Sequence, residues 1–410
     1  MSTAINPGPL VEPGEELSRD ELARYARHLS LPGIGLEGQR RLRAASVLVI
    51  GAGGLGAPVL QYLAAAGVGA LTVIDDDVVE TSNLQRQILH RDADVSRAKV
   101  DSARDALLRL DPNARVRAIR NRLSPDNALE LFASHDLVID GADNFATRYL
   151  SNDAAELTGT PLVWGTIFRF SGQVSTFVPD HGPMLRDLFP DIPEADSVPN
   201  CAEGGVFGVL CGTVGSAMAT EAIKLICGIG APYIGRLLRY DALSGESSTL
   251  RFSPDPDRPP VTDLAEVAVA CAARDHTADD GAGPAQAASN TEIGLAEFLT
   301  GEGGRLLIDV REDWERELSS IPGSVRVPLG AVRSRGWDAV APLVDTSAER
   351  MVVGTDTVRE IIVHCKSGVR SAEAVDILTA GAPARVRIRS LSGGIDAWSA
   401  SSGTGTPQGR

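Results

Sequence analysis

Short apolar runs and longer amphipathic segments alternate along the first part of the chain. The apolar runs predict strands at 46–50, 71–75, 115–119, 136–140 and 161–164. Apolar positions with helical spacing predict helices at 55–66, 97–110, 125–133 and 145–158. Such alternation is typical of a parallel sheet covered by helices on both faces. The predicted fold class is therefore α/β, with a mostly parallel sheet.

Three further segments follow this alternation. Residues 166–178 predict a β-hairpin, and the small apolar residues 206–227 predict a buried helix. Four prolines in 253–260, followed by a stretch rich in Ala, Asp, Gly and Thr, indicate a linker. A second α/β pattern then predicts strands at 306–310, 324–328 and 360–364, with a helix from about Ser371.

The pattern divides the chain into two domains with loose ends. Residues 1–17 contain three prolines and predict a flexible tail, and Ser18 with Glu21 predicts a capping box that starts a short helix. The predicted divisions are a first domain at 18–254, a linker at 255–291, a second and smaller α/β domain at 292–402 and a tail at 403–410.

Charge and cysteine content narrow the class of protein. The 410 residues carry a formal net charge of −15, which argues against nucleic acid as a partner. The chain shows no run of about 18 apolar residues and no signal-peptide pattern, so we expect a cytoplasmic protein that does not enter a membrane. Its five scattered cysteines form no C-x-x-C pair and predict no disulfide framework.

A glycine-rich turn, Gly51-Ala52-Gly53-Gly54-Leu55-Gly56, connects the first strand to the first long helix. Backbone N–H groups in such a turn can approach phosphates closely, and the helix N-terminus points at them. Asp75, at the end of the next strand, is placed to bind a ribose hydroxyl. Both features also fit a dinucleotide, so a dehydrogenase remains an alternative on this evidence.

Charged residues beyond the turn favour a different chemistry. The segment Ser82-Asn83-Leu84-Gln85-Arg86-Gln87 and Lys99 provide cations that could neutralise phosphoryl oxygens when the α-phosphate of ATP is attacked. Asp143, within Asp140-Gly141-Ala142-Asp143-Asn144, could hold Mg²⁺ at a strand end. The alternatives are solvated surface cations and, for Asp143, a helix N-cap.

These segments, with Arg24-Tyr25-Ala26-Arg27 and Asn200 to Val206, resemble the MoeB/ThiF superfamily of ubiquitin-activating-like adenylyltransferases over roughly 18–252. The resemblance implies a Rossmann-like domain that uses ATP and Mg²⁺ to adenylate the C-terminal glycine of a ubiquitin-like sulfur-carrier protein ending in Gly-Gly. It also implies a homodimer. The carrier could serve molybdopterin (molybdenum cofactor), thiamine, cysteine or secondary-metabolite synthesis.

Carried over by position, the resemblance assigns an ATP site. Its members are Gly51, Gly53, Gly54, Asp75, Ser82, Asn83, Leu84, Gln85, Arg86, Lys99, Asp143 and Asn144. Arg86, Lys99 and Asp143 would be catalytic, Asp143 would also contact Mg²⁺, and Arg27 would reach the phosphates, in some relatives from the other subunit. Cys201 matches a loop cysteine that bonds to the carrier in some relatives, and a buried unreactive thiol is the alternative.

The chain departs from the family pattern at four positions. Many relatives hold a structural zinc with two C-x-x-C pairs, and here Met184, Asp187, Arg258 and Val261 stand where those cysteines would fall. Met, Arg and Val cannot replace thiolate ligands. We therefore expect no structural zinc, as in MoeZ-type proteins.

The most distinctive feature of the second domain is a cysteine after an apolar strand. Cys365 starts the loop Lys366-Ser367-Gly368-Val369-Arg370-Ser371, whose backbone amides could curl around Sγ and stabilise an anion there. Lys366 and Arg370 would add positive charge. Only four residues separate Cys365 from Arg370, so the cradle suits a persulfide better than the phosphate of a cysteine phosphatase.

The surroundings of this loop, including Leu307 to Glu312, Ile321 to Ser324 and Leu391 to Trp398, resemble a rhodanese domain over roughly 292–402. The resemblance implies that Cys365 accepts sulfur as a persulfide, from thiosulfate or a cysteine desulfurase, and that Asp309 and Arg311 form a supporting ion pair. Two other interpretations remain: a Rossmann oxidoreductase fused to a phosphatase-like module, and a non-catalytic scaffold for a ubiquitin-like protein.

Overall fold

The chain divides into two units, Met1–Asp275 and His276–Arg410, and each unit is built around its own sheet. A computed structural model describes residues 5–193, 205–271, 291–300, 305–344, 359–384 and 386–402.

The first unit contains an eight-stranded sheet in the order β3-β2-β1-β4-β5-β6-β7-β8. Strands β1 to β5 run parallel, and β6, β7 and β8 are antiparallel to their neighbours. The strands are β1 Ser46–Ile50, β2 Ala70–Ile74, β3 Arg115–Ile119, β4 Leu137–Asp140, β5 Leu162–Phe168, β6 Ser171–Phe177, β7 Arg236–Asp241 and β8 Ser247–Arg251. The predicted α/β class and its mostly parallel sheet are confirmed.

Helices cover both faces of this sheet, because alternate residues of its strands point to opposite sides. Val47 and Val49 of β1 belong to one hydrophobic cluster, and Leu48 and Ile50 belong to another. The helices are α1 Arg19–Arg24, α2 Ala26–Leu29, α3 Gly35–Ala44, α4 Gly56–Ala65, α5 Lys99–Leu110, α6 Pro125–Ala133, α7 Phe145–Thr158, α8 Leu185–Leu188 and α9 Gly208–Cys227. Each helix predicted for this region is confirmed to within two residues.

Local sequence signals account for several of these boundaries. The capping box of Ser18 and Glu21 starts α1, and Pro125 begins α6 after the N-cap Ser124. The predicted hairpin is present, but β5 continues through residues 162–168, so one strand serves both the parallel sheet and the hairpin. A hydrophobic pattern alone does not show where one strand gains an antiparallel partner.

Helix α9 shows that the expectation of no apolar run of about 18 residues was wrong. It is long and apolar enough to cross a membrane, with a mean hydropathy of 1.4, although the sequence pattern indicated no such run. Its apolar face is part of the core, and the buried Glu221 accepts hydrogen bonds from Thr176 Oγ1 at 2.9 Å and Tyr233 N at 2.6 Å. These contacts identify α9 as the buried core helix that residues 206–227 predicted.

Two segments assigned to a tail and a linker are packed against the first unit. Leu10 and Val11 contact its core, and Leu10 N donates to Leu225 O at 3.1 Å, so residues 5–17 are not a loose tail. Residues 265–271 are helical, and Leu264 and Val267 are buried. Proline content indicated flexibility at both places, whereas apolar side chains anchor both segments.

The second unit contains five parallel strands in the order β11-β10-β12-β13-β9. They are β9 Glu292–Ile293, β10 Arg305–Asp309, β11 Val325–Arg326, β12 Arg359–His364 and β13 Val386–Leu391. The helices are α10 Leu295–Thr300, α11 Asp313–Leu318, α12 Leu329–Arg335, α13 Val369–Gly381 and α14 Gly394–Ser402. The smaller α/β domain is confirmed, and α13 begins at Val369 rather than at Ser371.

Candidate active sites

The glycine-rich turn lies at the carboxyl edge of the first sheet, where the strand order reverses between β1 and β4. Ile50 is paired with Ile74 on one side and with Asp140 on the other. Gly51 N donates to Ile74 O at 2.9 Å, and Gly141 N donates to Ile50 O at 3.0 Å. The loops after β1, β2 and β4 therefore meet at the point of an α/β sheet where ligands bind.

A close approach requires glycine at position 54. A Cβ placed there would lie 2.7 Å from Sγ of Cys211, a buried residue in the first turn of α9. A side chain would therefore force the turn away from α9. The sequence offered no reason to connect Cys211 with the glycine-rich turn.

Asp75 and His90 hold the turn from both sides of Ala52. Ala52 N donates to Asp75 Oδ2 at 2.8 Å, and His90 Nε2 lies 2.9 Å from Ala52 O. A carbonyl only accepts, so Nε2 carries the proton, and Nδ1 then accepts from Ser102 Oγ at 2.9 Å. Burial lowers the pKa of His90, which keeps this neutral form, and burial raises the pKa of Asp75. Sequence reasoning missed His90.

The predicted cations lie on the segments after β2. Lys99 begins α5, is buried, and donates from Nζ to Asp77 Oδ2 at 2.7 Å. Arg86 Nη1 donates to Ser82 O at 3.0 Å, in a segment that includes the short 3₁₀ helix Thr81–Asn83. The segment Leu84-Gln85 reaches the start of α9, where Gln85 O lies 2.3 Å from the position of a Cβ on Gly208.

Asp143 and Asn144 divide two tasks at the end of β4. Asn144 is the N-cap of α7, since its Oδ1 accepts from Thr147 N at 2.9 Å. Asp143 is exposed at the same edge. The helix N-cap alternative for Asp143 is therefore wrong, and its carboxylate faces solvent.

A second group of carboxylates that could hold a metal ion comprises Asp75, Asp76 and Asp77, whose oxygens lie within 4.8 Å of one another. Asp77 is paired with Lys99, and Asp76 Oδ2 accepts from Arg122 Nε at 3.0 Å. These cations offset the charge that a metal ion would otherwise neutralise. The exposed carboxylate of Asp143 is thus the better candidate for Mg²⁺.

Asp140 is a buried carboxylate that the sequence analysis left without a role. Its Oδ1 accepts from Ala142 N at 2.8 Å. Burial raises its pKa from 3.8 to about 6, against the opposing effects of Ala142 N–H, Arg148 and Ser151. Arg148 Nη2 donates to Ala142 O at 3.3 Å, and its guanidinium stacks 5.2 Å from the ring centre of Phe145. Asp140 and Arg148 thus shape the loop that presents Asp143.

Two predicted residues are not joined to this site by the structure. Arg27 is exposed on the short helix α2. Cys201 lies outside the described residues. Their roles remain proposals.

Glu156, Asp187 and Arg258 form an ionic cluster, which we call the acidic clasp. It contains two of the four positions where zinc ligands would fall, Asp187 and Arg258, and a third, Met184, hydrogen bonds to it. Arg258 Nε donates to Asp187 Oδ1 at 2.9 Å, and its two terminal nitrogens each lie 3.1 Å from a carboxylate oxygen of Glu156. Asp187 Oδ2 also accepts from Met184 N at 2.6 Å. The clasp connects α8, its N-cap Met184 and residues 255–258, which together contain three of those four positions, with α7.

In the second unit, the Cys365 loop is a cradle of backbone groups around a buried thiol. Gly368 N donates to Cys365 Sγ at 3.1 Å, and Ser371 Oγ lies 3.6 Å from Sγ. Gly368 has φ of +113° and is the N-cap of the 13-residue helix α13. The loop therefore directs a helix N-terminus at the sulfur, as predicted.

Ion pairs support this loop and change the expected role of one cation. Arg311 and Asp309 form the predicted pair, with Nη2 2.8 Å from Oδ2. Arg370, however, forms two hydrogen bonds of 2.8 and 2.7 Å with Glu315 on α11. The sequence suggested that Arg370 adds positive charge to the loop. The structure corrects this, because the Glu315 carboxylate compensates the charge of Arg370.

Each of the two units matches a known protein family. A ThiF family model matches residues 25–260, and a rhodanese-like domain model matches residues 295–401. A probable adenylyltransferase/sulfurtransferase MoeZ from Mycobacterium tuberculosis is 47% identical over 97% of this chain and 97% of its own. The adenylyltransferase and sulfurtransferase MOCS3 of Bos taurus is 39% identical over 97% and 89%.

Other matches cover a smaller part of this chain. A sulfur carrier protein adenylyltransferase from Thermus thermophilus is 49% identical over 63% of this chain and 99% of its own. The crystal structure of E. coli MccB with ATP aligns with a TM-score of 0.52 at 20% identity, over 61% of this chain and 77% of that one. At that identity, the likeness concerns the fold.

Proposed function

This chain belongs to the ThiF family and has a rhodanese-like domain after the ThiF domain, and from that premise we propose that it adenylates a ubiquitin-like sulfur carrier and then transfers sulfur to it. Relatives that match nearly its whole length are adenylyltransferase/sulfurtransferases, and the chain is an enzyme of this kind. The observation that most supports the proposal is the presence of two separate sites, each intact, on one polypeptide.

In the first half-reaction, an oxygen of the carrier's C-terminal carboxylate attacks the α-phosphorus of ATP. The acyl-adenylate forms, and the bond to the β-phosphate breaks so that pyrophosphate leaves. The glycine-rich turn and the N-terminus of α4 bind the phosphates, while Lys99 and Arg86 stabilise the charge that develops on the oxygens. Asp75 binds the ribose, and Arg27 contributes from the second copy of a homodimer.

Asp143 is the residue that we assign to Mg²⁺. Its exposed carboxylate, an oxygen donor at the carboxyl edge of the sheet, fits the ligand preference of this ion. When bound, the ion offsets negative charge on the phosphates. We expect no structural zinc, since the acidic clasp connects the segments that the metal would hold.

In the second half-reaction, the terminal sulfur of a Cys365 persulfide attacks the acyl carbon and AMP leaves. This step produces an acyl disulfide between the carrier and Cys365. A thiolate, from Cys201 or from an external thiol, then attacks Cys365 Sγ. The bond between Cys365 Sγ and the carrier's sulfur breaks, and its electron pair leaves with the carrier as a thiocarboxylate. A disulfide between Cys365 and the attacking thiol remains.

The partners follow from this chemistry. The carrier is a ubiquitin-like protein ending in Gly-Gly, and the relative from Thermus thermophilus is by name a sulfur carrier protein adenylyltransferase. An upstream donor, thiosulfate or a cysteine desulfurase, supplies sulfur to Cys365. We place the reaction in the cytoplasm, where thiols stay reduced.

Two variants test the proposal in opposite ways. Asp143→Ala should abolish carrier-dependent ATP–pyrophosphate exchange, because removal of a metal ligand costs several kcal/mol of transition-state stabilisation at about 1.4 kcal/mol for each tenfold. That variant should keep persulfide formation on Cys365. Cys365→Ala should keep carrier-dependent ATP–pyrophosphate exchange and lose persulfide formation.

The intact mass of the carrier, measured after incubation with ATP and a sulfur donor, gives the combined readout. Wild-type enzyme should produce a thiocarboxylate, and neither variant should. Unchanged exchange in Asp143→Ala, or unchanged thiocarboxylate formation in Cys365→Ala, would contradict the assignment. Reduction of a nicotinamide cofactor would instead support the oxidoreductase alternative.

A further inference from the structure

We propose that Glu315 is a specificity-determining residue, which pairs with Arg370 and so makes the Cys365 loop prefer sulfur donors with a single negative charge over the dianion thiosulfate. This inference rests on the proposed function, in which Cys365 accepts sulfur. A persulfide on a thiol such as a protein cysteine has the favoured charge.

The pairing of Arg370 is the first support. Two nitrogens of its guanidinium bind the two carboxylate oxygens of Glu315, at 2.8 and 2.7 Å, in the bidentate geometry that makes such pairs strong. The Glu315 side chain is 9% exposed and that of Arg370 is 23% exposed. Burial favours the neutral acid, yet the hydrogen bonds from Arg370 keep the pKa of Glu315 below its usual value. The pair is thus ionised and neutral as a whole.

Helix α11 fixes Glu315 in this position. Glu312 is the N-cap, and its backbone N donates to Glu315 Oε2 at 3.0 Å. The carboxylate is therefore held by its own helix as well as by Arg370. A mobile surface glutamate would let an incoming anion take over Arg370, and this one is restrained.

A second cation near the loop is compensated in a similar way. Arg311 is buried in its bidentate pair with Asp309. Lys366 is exposed at the loop, and Asp396, whose backbone N donates to Lys366 O at 3.1 Å, adds a carboxylate whose pKa burial raises and Lys366 lowers. Among the described residues, the groups that hydrogen bond to Cys365 Sγ are Gly368 N–H and the Ser371 hydroxyl. Such neutral dipoles suit one negative charge better than two.

The transfer itself needs no further reagent. Cys365 thiolate attacks the sulfane sulfur, the sulfur–sulfur bond of the donor breaks, and its electron pair leaves with the remainder of the donor. Thiosulfate releases sulfite, benzenethiosulfonate releases benzenesulfinate, and a persulfide releases a thiolate. Thiosulfate enters with two negative charges and benzenethiosulfonate with one, so these two salts are a matched pair of probes.

The test uses the full chain and compares kcat/KM for the two salts with cyanide as acceptor. Glu315→Gln keeps an oxygen that can accept from Glu312 N and removes the charge that compensates Arg370. We expect kcat/KM for thiosulfate to rise roughly tenfold, with a smaller gain for benzenethiosulfonate.

Two further variants separate charge from folding. Arg370→Gln should lower kcat/KM for thiosulfate more than for benzenethiosulfonate, since Glu315 is then uncompensated. In the double variant with Glu315→Gln and Arg370→Gln, the ratio of kcat/KM for the two salts should return towards that of wild type. The control is Glu373→Gln, which breaks the exposed pair with Arg333 (2.7 Å) elsewhere on α13 and should leave the preference unchanged.

Each outcome bears on the inference. Equal gains for both salts, no gain in Glu315→Gln with an unchanged preference in Arg370→Gln, or the same gain in Glu373→Gln would overturn it. A Cys365→Ala enzyme that still transfers sulfur from either salt would contradict the proposed function instead, so the two failures can be told apart.

Discussion

The glycine-rich turn depends on single residues that lie outside it. Asp75 fixes the N–H of Ala52 and His90 fixes its carbonyl, so the central peptide groups of the turn are held from both sides. Their contribution is to position the turn rather than to contact the reacting atoms.

Replacing His90 should weaken ATP binding more than it slows the chemistry. His90→Leu removes the donor to Ala52 O, and we expect the KM for ATP to rise about tenfold with a small change in kcat. His90→Gln should restore most of the affinity, because its amide can donate to the same carbonyl. Carrier-dependent pyrophosphate exchange at varied ATP concentrations measures both constants.

The control for that prediction is His135, a partly buried histidine that precedes β4 and hydrogen bonds to Thr72 Oγ1 at 2.8 Å. His135→Leu should leave the KM for ATP unchanged. A fall in kcat alone in His90→Leu, or no rescue by Gln, would show that His90 does not position the turn.

Asp140 should make the stability of the protein depend on pH. Its folded-state pKa of about 6 exceeds the ordinary value of 3.8, so its favourable contribution is complete below pH 3.8 and is lost as the pH rises through about 6. That displacement corresponds to about 3 kcal/mol. Asp140→Asn, which keeps the acceptor for Ala142 N, should therefore be more stable than wild type at pH 8. Its stability advantage over wild type should be smaller at pH 5.

Thermal unfolding at the two pH values provides the measurement. Asp143→Asn, at the exposed carboxylate three positions later, should weaken the pH dependence, because the charge of Asp143 helps to raise the pKa of Asp140. An advantage of Asp140→Asn that is equal at pH 5 and pH 8 would contradict the prediction.

At the scale of elements, an ionic cluster connects helices α7 and α8 with residues 255–258. Arg258 bridges Asp187 on α8 and Glu156 on α7, and the two carboxylates are 3% and 14% exposed. We propose that hydrogen bonds between these charges take the place of metal–sulfur bonds. A metal-free clasp of this kind depends on both partners, since each buried charge needs the other.

Breaking the acidic clasp should therefore destabilise the first unit. Arg258→Met leaves two largely buried carboxylates uncompensated, and we expect a loss of about 3 kcal/mol in the free energy of unfolding. Chemical denaturation measures this loss. The control Arg333→Met breaks an exposed bidentate pair and should cost less than about 1 kcal/mol.

Metal analysis completes that test. Chelator-washed protein should contain far less than one zinc per chain, and its unfolding should not respond to added chelator. A tightly held stoichiometric zinc, or an Arg258→Met variant as stable as wild type, would show that the clasp does not replace the metal.

At the scale of the whole molecule, two units with separate sheets contain two separate sites. Asp143 lies in the first unit and Cys365 in the second. Joining them in one chain raises the effective concentration of the persulfide near the adenylate, without any need for new contacts.

Mixing two inactive enzymes should therefore restore part of the activity. Asp143→Ala keeps the persulfide and Cys365→Ala keeps adenylation, so the mixture should form thiocarboxylate at a rate that rises with the concentration of the added variant. At micromolar concentrations we expect that rate to be at least about tenfold below wild type. Absence of product at every concentration would mean that both sites must lie on one chain.

Features that are contiguous in the chain could be predicted from the sequence. The α/β alternation, the glycine-rich turn after β1 and the Cys365 loop before α13 each depend on local periodicity or on backbone groups within a few residues. The pair Asp309–Arg311 was implied by the resemblance to a rhodanese domain, which itself rests on contiguous motifs. The family and the proposed reaction follow from these motifs.

Only the tertiary structure decided which distant groups meet. His90 lies 38 residues from Ala52, Arg258 lies 71 residues from Asp187, and Arg370 lies 55 residues from Glu315. The packing of residues 5–17 is of the same kind, since Leu10 N meets Leu225 O. Hydrophobic periodicity reports which face of an element is buried but not which partner covers it. The sequence therefore predicted the candidate reacting groups, and packing determined which charged side chains lie against them.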